Sequence, residues 1–320
     1  MVLPIILFDM DIPERLQKWR DTGHYIDYKG LKIWVHTSGP KSDDGVLVCH
    51  GFPGSSWDWD HVAPLVAKHA KIVVPDMIGY GMSAKPKEDL PYRETFSLFN
   101  QADLMEEVAK QEGLKTVVLA IHDMGQTVGA ELMARQEEGK LSFKIRYAVV
   151  FSGSTLVDLI SLTPLHKKML SVPPILDYDL EDGTFSKGME ITFSKEHPST
   201  QEIKDCMDAQ IFENHGSRVM PACMRYLLER KKYLKRWEAA LCGGFQSAPQ
   251  TCWWGLQDPA APETMVDRIK RGRPYTEVHK WPDVAHWAMI EVPDRVADAI
   301  LQGFNSTGTN DVFDSVEVAK

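Results

Sequence analysis

Short apolar runs take turns with stretches of helical periodicity along the first half of the chain. LKIWVHT (31–37) and GVLVCH (45–50) read as strands, followed by a helix over 58–69. KIVVPD (71–76) is a strand, 97–113 a helix ended by Gly113, TVVLAI (116–121) a strand, 125–139 a helix, and RYAVVFSG (146–153) a strand. The runs are continuously apolar rather than alternating, which predicts strands covered on both faces. Strands separated by helices imply a parallel sheet joined by right-handed crossovers.

The rhythm stops between about 155 and 245. There the pattern is helical and loop-like, with Pro173–Pro174 and the charged run RYLLERKKYLKRWEAAL (225–241). It resumes with QTCWWG (250–255) and YTEVHKW (275–281) as strands and a helix over 293–304. The chain therefore divides into a core, 1–154 and 246–320, and a helical insertion, 155–245. From about Asn305 the residues are Ser, Thr, Gly and Asn-rich, a composition expected to fray.

Composition narrows the class. The 320 residues are 43% hydrophobic and 25% charged, ordinary for a globular chain, and the formal net charge of −9 argues against nucleic acid or an anionic membrane as partner. The apolar patch Val2–Phe8 is short, broken by Pro4 and followed by Asp9 and Asp11, so no signal peptide is predicted. No run approaches the ~20 apolar residues of a membrane span. Five cysteines, odd in number and without paired metal spacing, predict reduced thiols, a cytoplasmic location and no metal site. No cofactor is expected.

In open parallel sheets ligands bind beyond the carboxyl ends of the strands, which directs attention to HGFPG (50–54), DMIGYGMS (76–83), HDMG (122–125), LQDP (256–259) and PDVAHW (282–287). Taken singly these residues have ordinary readings. Asp123 suits a helix N-cap, Asp258 before Pro259 a turn, His286 a structural histidine and His50 a satisfied supporting one. Together they fall in the order nucleophile, acid, histidine, each at a strand's end.

HGFPGSSWDW, DMIGYGMSAKP, HDMGQTVG, GLQDP and VAHW make the chain resemble the α/β-hydrolase superfamily over nearly its whole length. Asp123 at the strand–helix turn, with HGFP before it, is most similar to the epoxide hydrolase and haloalkane dehalogenase branch; RKKYLKRW (230–237) also resembles the mesoderm-specific-transcript proteins. The resemblance implies a mostly parallel eight-stranded sheet flanked by helices, an α/β fold, with the insertion as a cap. It implies Asp123 as nucleophile, His286 as base and Asp258 as its partner acid. Backbone N–H groups of Phe52 and Met124 would form the oxyanion hole, with His50 and Pro53 supporting that loop.

A carboxylate at the nucleophile position suits a particular chemistry. It is already ionised at neutral pH and suits displacement at a saturated carbon bearing an epoxide oxygen or a halide, leaving an ester on the enzyme. Water activated by His286 would then cleave that ester. An epoxide oxygen wants a hydrogen-bond donor, a part the branch gives to cap tyrosines; Tyr178 in ILDYDL and Tyr226 are the candidates, with Tyr233 in a charged helical stretch. Halide release wants side-chain N–H donors, but Met124 and Phe52 occupy the expected places, and Trp237 is the cap's one tryptophan. The sequence thus favours hydrolysis of an epoxide to a diol on a small apolar organic substrate. Haloalkane dehalogenation and a non-catalytic binding protein on the same scaffold are the alternatives.

Overall fold

The computed structural model describes residues 12–87, 91–243 and 248–306. The patch Val2–Phe8, the 245/246 boundary of the insertion and the tail beyond Ser306 lie outside these residues.

Eight strands form one sheet: β1 (Gly23–Tyr28), β2 (Leu31–Ser38), β3 (Asp44–Cys49), β4 (Lys71–Pro75), β5 (Thr116–Ile121), β6 (Lys144–Phe151), β7 (Gln250–Gly255) and β8 (Glu277–Trp281). Their order is β1-β2-β4-β3-β5-β6-β7-β8. β2 runs antiparallel to both β1 and β4, and the pairs from β4 through β8 are parallel. Every β3 residue from Gly45 and every β5 residue from Val117 is buried, as expected for strands covered on both faces. β1 carried no apolar run because it is an edge strand, and four of its six residues stay at least partly exposed.

The direction in which the chain winds changes between β3 and β5, which lie side by side although β4 separates them in sequence. The loops leaving these two strands therefore diverge to opposite sides and leave a crevice between them, where such sheets bind ligands. One predicted helix, 58–69, is instead a 3₁₀ turn (Ser56–Trp59) and a short helix (Ala63–Val66). Pro64 explains the break: it has no N–H to continue a ladder and its ring collides with the preceding turn.

Between β6 and β7 the described residues hold only helices and loops, including Pro164–Ser171, Thr184–Met189, Gln201–Phe212 and Tyr226–Cys242. The last of these lies on the helix that follows β5, Met124–Glu137. Buried Glu131 on that helix accepts Arg236 Nε at 2.7 Å and Trp237 Nε1 at 2.9 Å. The RKKYLKRW run therefore docks through Arg230, Arg236 and Trp237, while Lys231, Lys232 and Lys235 stay exposed. No helix of the described residues is long and apolar enough to cross a membrane.

Candidate active site

The turn after β5 is tight. Asp123 sits at φ +46°, ψ −112°, a conformation costing on the order of 1–3 kcal/mol for a residue other than glycine. Gly125 makes the turn possible, because a Cβ there would lie 2.0 Å from the Cys49 carbonyl oxygen on β3. The Asp123 side chain makes no capping bond to its helix, which removes the N-cap reading. Its Oδ2 accepts from the Phe52 backbone N–H at 2.9 Å, and its Oδ1 accepts from Ser154 Oγ at 2.7 Å.

Asp258, beyond β7, and His286, beyond β8, meet at 2.7 Å between Oδ2 and Nδ1. The second Asp258 oxygen accepts the Ala260 and Ala261 N–H groups at 2.8 and 3.0 Å, so the carboxylate cannot turn away from the imidazole. His286 is held by its backbone as well. Its N–H donates to Thr192 O of the cap at 3.0 Å, and its carbonyl accepts from His122 Nε2 at 2.8 Å.

The electrostatics follow from burial. Desolvation by itself would lower the His286 pKa, but the facing carboxylates of Asp258 and Asp123 outweigh it and push the group up to about 9. Desolvation would raise Asp123, yet the charges of His286 and Arg230 and the Ser154 hydrogen bond hold it well below the ordinary carboxylate range. His122, buried beside His286, is pushed down to about 3, first by desolvation and then by that neighbour's charge, and stays neutral.

The loop after β3 presses on Asp123. A Cβ at Gly51 would lie 2.8 Å from Asp123 Cβ, so only glycine permits the approach that brings Phe52 N–H to the carboxylate. His50 is neutral, pushed down to about 4 by burial. Its Nε2 accepts from Met77 N–H at 3.0 Å and its Nδ1 donates to Gly51 O at 2.9 Å, tying this loop to the one after β4. Pro53 follows through a cis peptide bond. Met124 heads its helix, where the first N–H groups have no intrahelical acceptor.

Asp123 and His286 line one cavity, roofed by cap residues that include Leu165, His166 and Met189. Its free volume is about 30 Å³. A water needs roughly 10–15 Å³ on that scale, so the cavity has room for about two. Tyr178 does not line it: the side chain is 54% exposed, and the sequence expectation for it is withdrawn. Tyr233 also lies elsewhere, against Phe99 and Trp237. Tyr226 is buried, 5.8 Å ring to ring from Phe52, with no partner for its hydroxyl among the described residues; it lines an adjoining groove instead.

The sequence profile described as the alpha/beta hydrolase family matches residues 46–299. The chain belongs to the α/β-hydrolase family. It is 32% identical over 287 residues to LipZ of Mycobacterium tuberculosis, covering 89% of this chain and 96% of that one. With the mesoderm-specific transcript homolog protein of Homo sapiens it shares 28% over 326 residues, 96% of this chain and 94% of the other. The haloalkane dehalogenase DbeA of Bradyrhizobium elkani superposes with a TM-score of 0.68 at 18% identity, over 88% of this chain and 97% of that one, a likeness of fold.

Ser154, His122, His166 and Arg230 of this hydrolase's site escaped the sequence reading, and Arg230 reaches furthest. Arg230 is fully buried and reaches from the cap into the turn. Its Nε donates to Thr127 Oγ1 at 2.8 Å, Nη1 to Ser154 Oγ at 2.6 Å and Nη2 to Asp123 O at 3.0 Å, and its guanidinium stacks on Tyr226 at 4.4 Å. Ser154 relays the contact, accepting from Arg230 while donating to Asp123. A signal was present: Arg230 stands seven residues before buried Trp237, two helical turns away on the same face.

Proposed function

We propose that this α/β-hydrolase opens an epoxide to a vicinal diol through an ester on Asp123. The observation that carries the reading is the state of that carboxylate: buried, held ionised, and sharing a cavity with a histidine locked to Asp258. With Oδ2 engaged by Phe52 N–H, attack falls to Oδ1, which keeps a lone pair free beside the Ser154 bond.

The proton inventory is consistent with this route. His286 is an imidazolium in the resting enzyme because two carboxylates face it. Forming the ester removes the charge of Asp123, so His286 becomes more acidic, gives its proton to the opened oxygen and is left neutral. The neutral imidazole then takes a proton from water, which attacks Cγ of Asp123. The oxyanion develops on Oδ2, facing Phe52 N–H, with Met124 N–H as the second donor. Loss of the alcohol restores the carboxylate and the imidazolium. Because the cavity is so small, accommodating a substrate requires displacement of lining residues such as Leu165 and Met189.

Halide release finds less support. Trp237 Nε1 is occupied by Glu131 at 2.9 Å and Trp287 Nε1 by Thr192 Oγ1 at 2.8 Å, so neither indole faces a leaving group. A single turnover in ¹⁸O-water tests the ester directly. Label is expected in the peptide containing Asp123; a diol formed with no label there would falsify the route. Acid and halide release from haloalkanes, followed with a pH dye, marks the dehalogenase alternative, and a panel of both substrates without turnover or adduct marks the binding protein.

A further inference from the structure

We propose that His166, on the first cap helix, donates its Nε2–H to the oxygen released as the epoxide ring opens. The inference rests on the ester reading above and assigns the leaving-group contact that neither Tyr178 nor Tyr233 can make.

The tautomer follows from the fold. Thr163 caps the helix Pro164–Ser171, and its backbone N–H donates to His166 Nδ1 at 3.0 Å. A backbone N–H can only donate, so Nδ1 carries no proton and the neutral ring must carry it on Nε2. The Thr163 hydroxyl lies 2.8 Å from the same Nδ1 and donates to it as well. The capping box thus fixes both the rotation of the ring and the position of its hydrogen. Burial pushes the imidazole down to about 4, so it is neutral at physiological pH.

His166 lines the cavity beside Asp123 and His286, and its Nε2 has no partner among the described residues. The other cap side chains on that cavity with N–H or O–H groups have theirs committed. Thr163 Oγ1 is used by His166, and Thr192 Oγ1 donates to Met189 O. Of the cap side chains that line this cavity, that leaves His166 with a free donor; the unpartnered Tyr226 hydroxyl belongs to a residue lining the adjoining groove.

The step balances. Asp123 Oδ1 forms the new bond to carbon, the ring C–O bond breaks, and its electron pair moves to oxygen. His166 stabilises that developing charge by a hydrogen bond and keeps its own proton. The oxygen is protonated by the His286 imidazolium, which becomes the neutral base for ester hydrolysis.

The test uses the full-length protein carrying His286→Gln, in which water replaces His286 as the proton source for the opened oxygen and the ester accumulates, and follows Asp123 alkylation by mass spectrometry. Styrene oxide needs help for its oxygen; p-nitrobenzyl bromide releases an anion that takes up no proton. Adding His166→Phe is expected to slow alkylation by styrene oxide on the order of 10²-fold, with a much smaller effect on the bromide. His166→Gln keeps an acceptor for Thr163 N–H and an N–H for the cavity, and is expected to recover most of the rate. Unchanged alkylation by styrene oxide in His166→Phe overturns the proposal, as does an equal loss for both electrophiles or a Gln variant no better than Phe. If neither electrophile labels Asp123 while His166 is intact, the ester mechanism itself fails and this inference goes with it.

Discussion

Arg230 Nη2 donates to the backbone oxygen of Asp123 at 3.0 Å, joining residues 107 apart in the chain. A cap side chain thereby secures the backbone of the strained turn that presents Asp123. The same guanidinium, through Ser154, reaches the Asp123 carboxylate. Cap and core are consequently not independent: whatever displaces the long cap helix also relaxes the turn.

Replacing Arg230 with Met leaves three buried acceptors without their donor. The expected cost is on the order of 3–5 kcal/mol of stability, read from denaturant midpoints. Removal of the positive charge also raises the Asp123 pKa, so the acid limb of Asp123 alkylation moves to higher pH. An unaltered midpoint and an unaltered limb would mean that Arg230 only fills space.

The His286 proton links stability to pH. Its folded pKa, about 9, lies above the ordinary 6.5, so the folded state binds this proton more tightly than the unfolded one. The stabilisation is complete below 6.5 and disappears as pH rises through about 9. Wild type is therefore expected to lose at least about 1 kcal/mol relative to His286→Gln across that interval, measured by urea unfolding. Parallel stability curves for the two proteins would contradict the assignment.

Asp258→Asn removes the charge that holds His286 in its raised state, while Asp123 and the oxyanion donors stay in place. Ester hydrolysis is expected to slow roughly 10³–10⁴-fold, whereas ester formation changes far less. Stopped-flow and quench measurements on the two half-reactions decide the matter; equal effects on both would argue that Asp258 shapes the site and does not tune the base.

Gly125→Ala tests the packing of the turn. The added Cβ meets the Cys49 carbonyl, a backbone atom fixed in the centre of the sheet, so no side chain can yield. Destabilisation of at least about 3 kcal/mol is expected, seen as a lowered melting temperature or loss of soluble protein. Near-wild-type melting would show that β3 can shift.

Much of the scaffold was legible because buried parallel strands announce themselves. β5 occupies the apolar run 116–121, and β7 the run 250–255. Strand ends then pointed to Asp123, Asp258 and His286, since the sheet directs its C-terminal loops toward one edge. β1 was invisible because an edge strand half in water has no such run, and the 58–69 helix failed because Pro64 interrupts a ladder that periodicity alone does not see.

The chain's own pattern, then, determined the sheet and which chemical groups stand at its edge, because burial on two faces and the geometry of a strand–helix turn are local demands written into consecutive residues. The cap's contribution was decided only in three dimensions. Tyr178 and His166 are both half-polar rings in a helical insertion, and nothing local distinguishes them. One faces solvent and the other lines the cavity with Asp123 because a capping threonine and the docking of Arg230, Arg236 and Trp237 set how the insertion lies on the core. Those contacts join residues far apart in sequence, and their energy exists only once the two parts have come together.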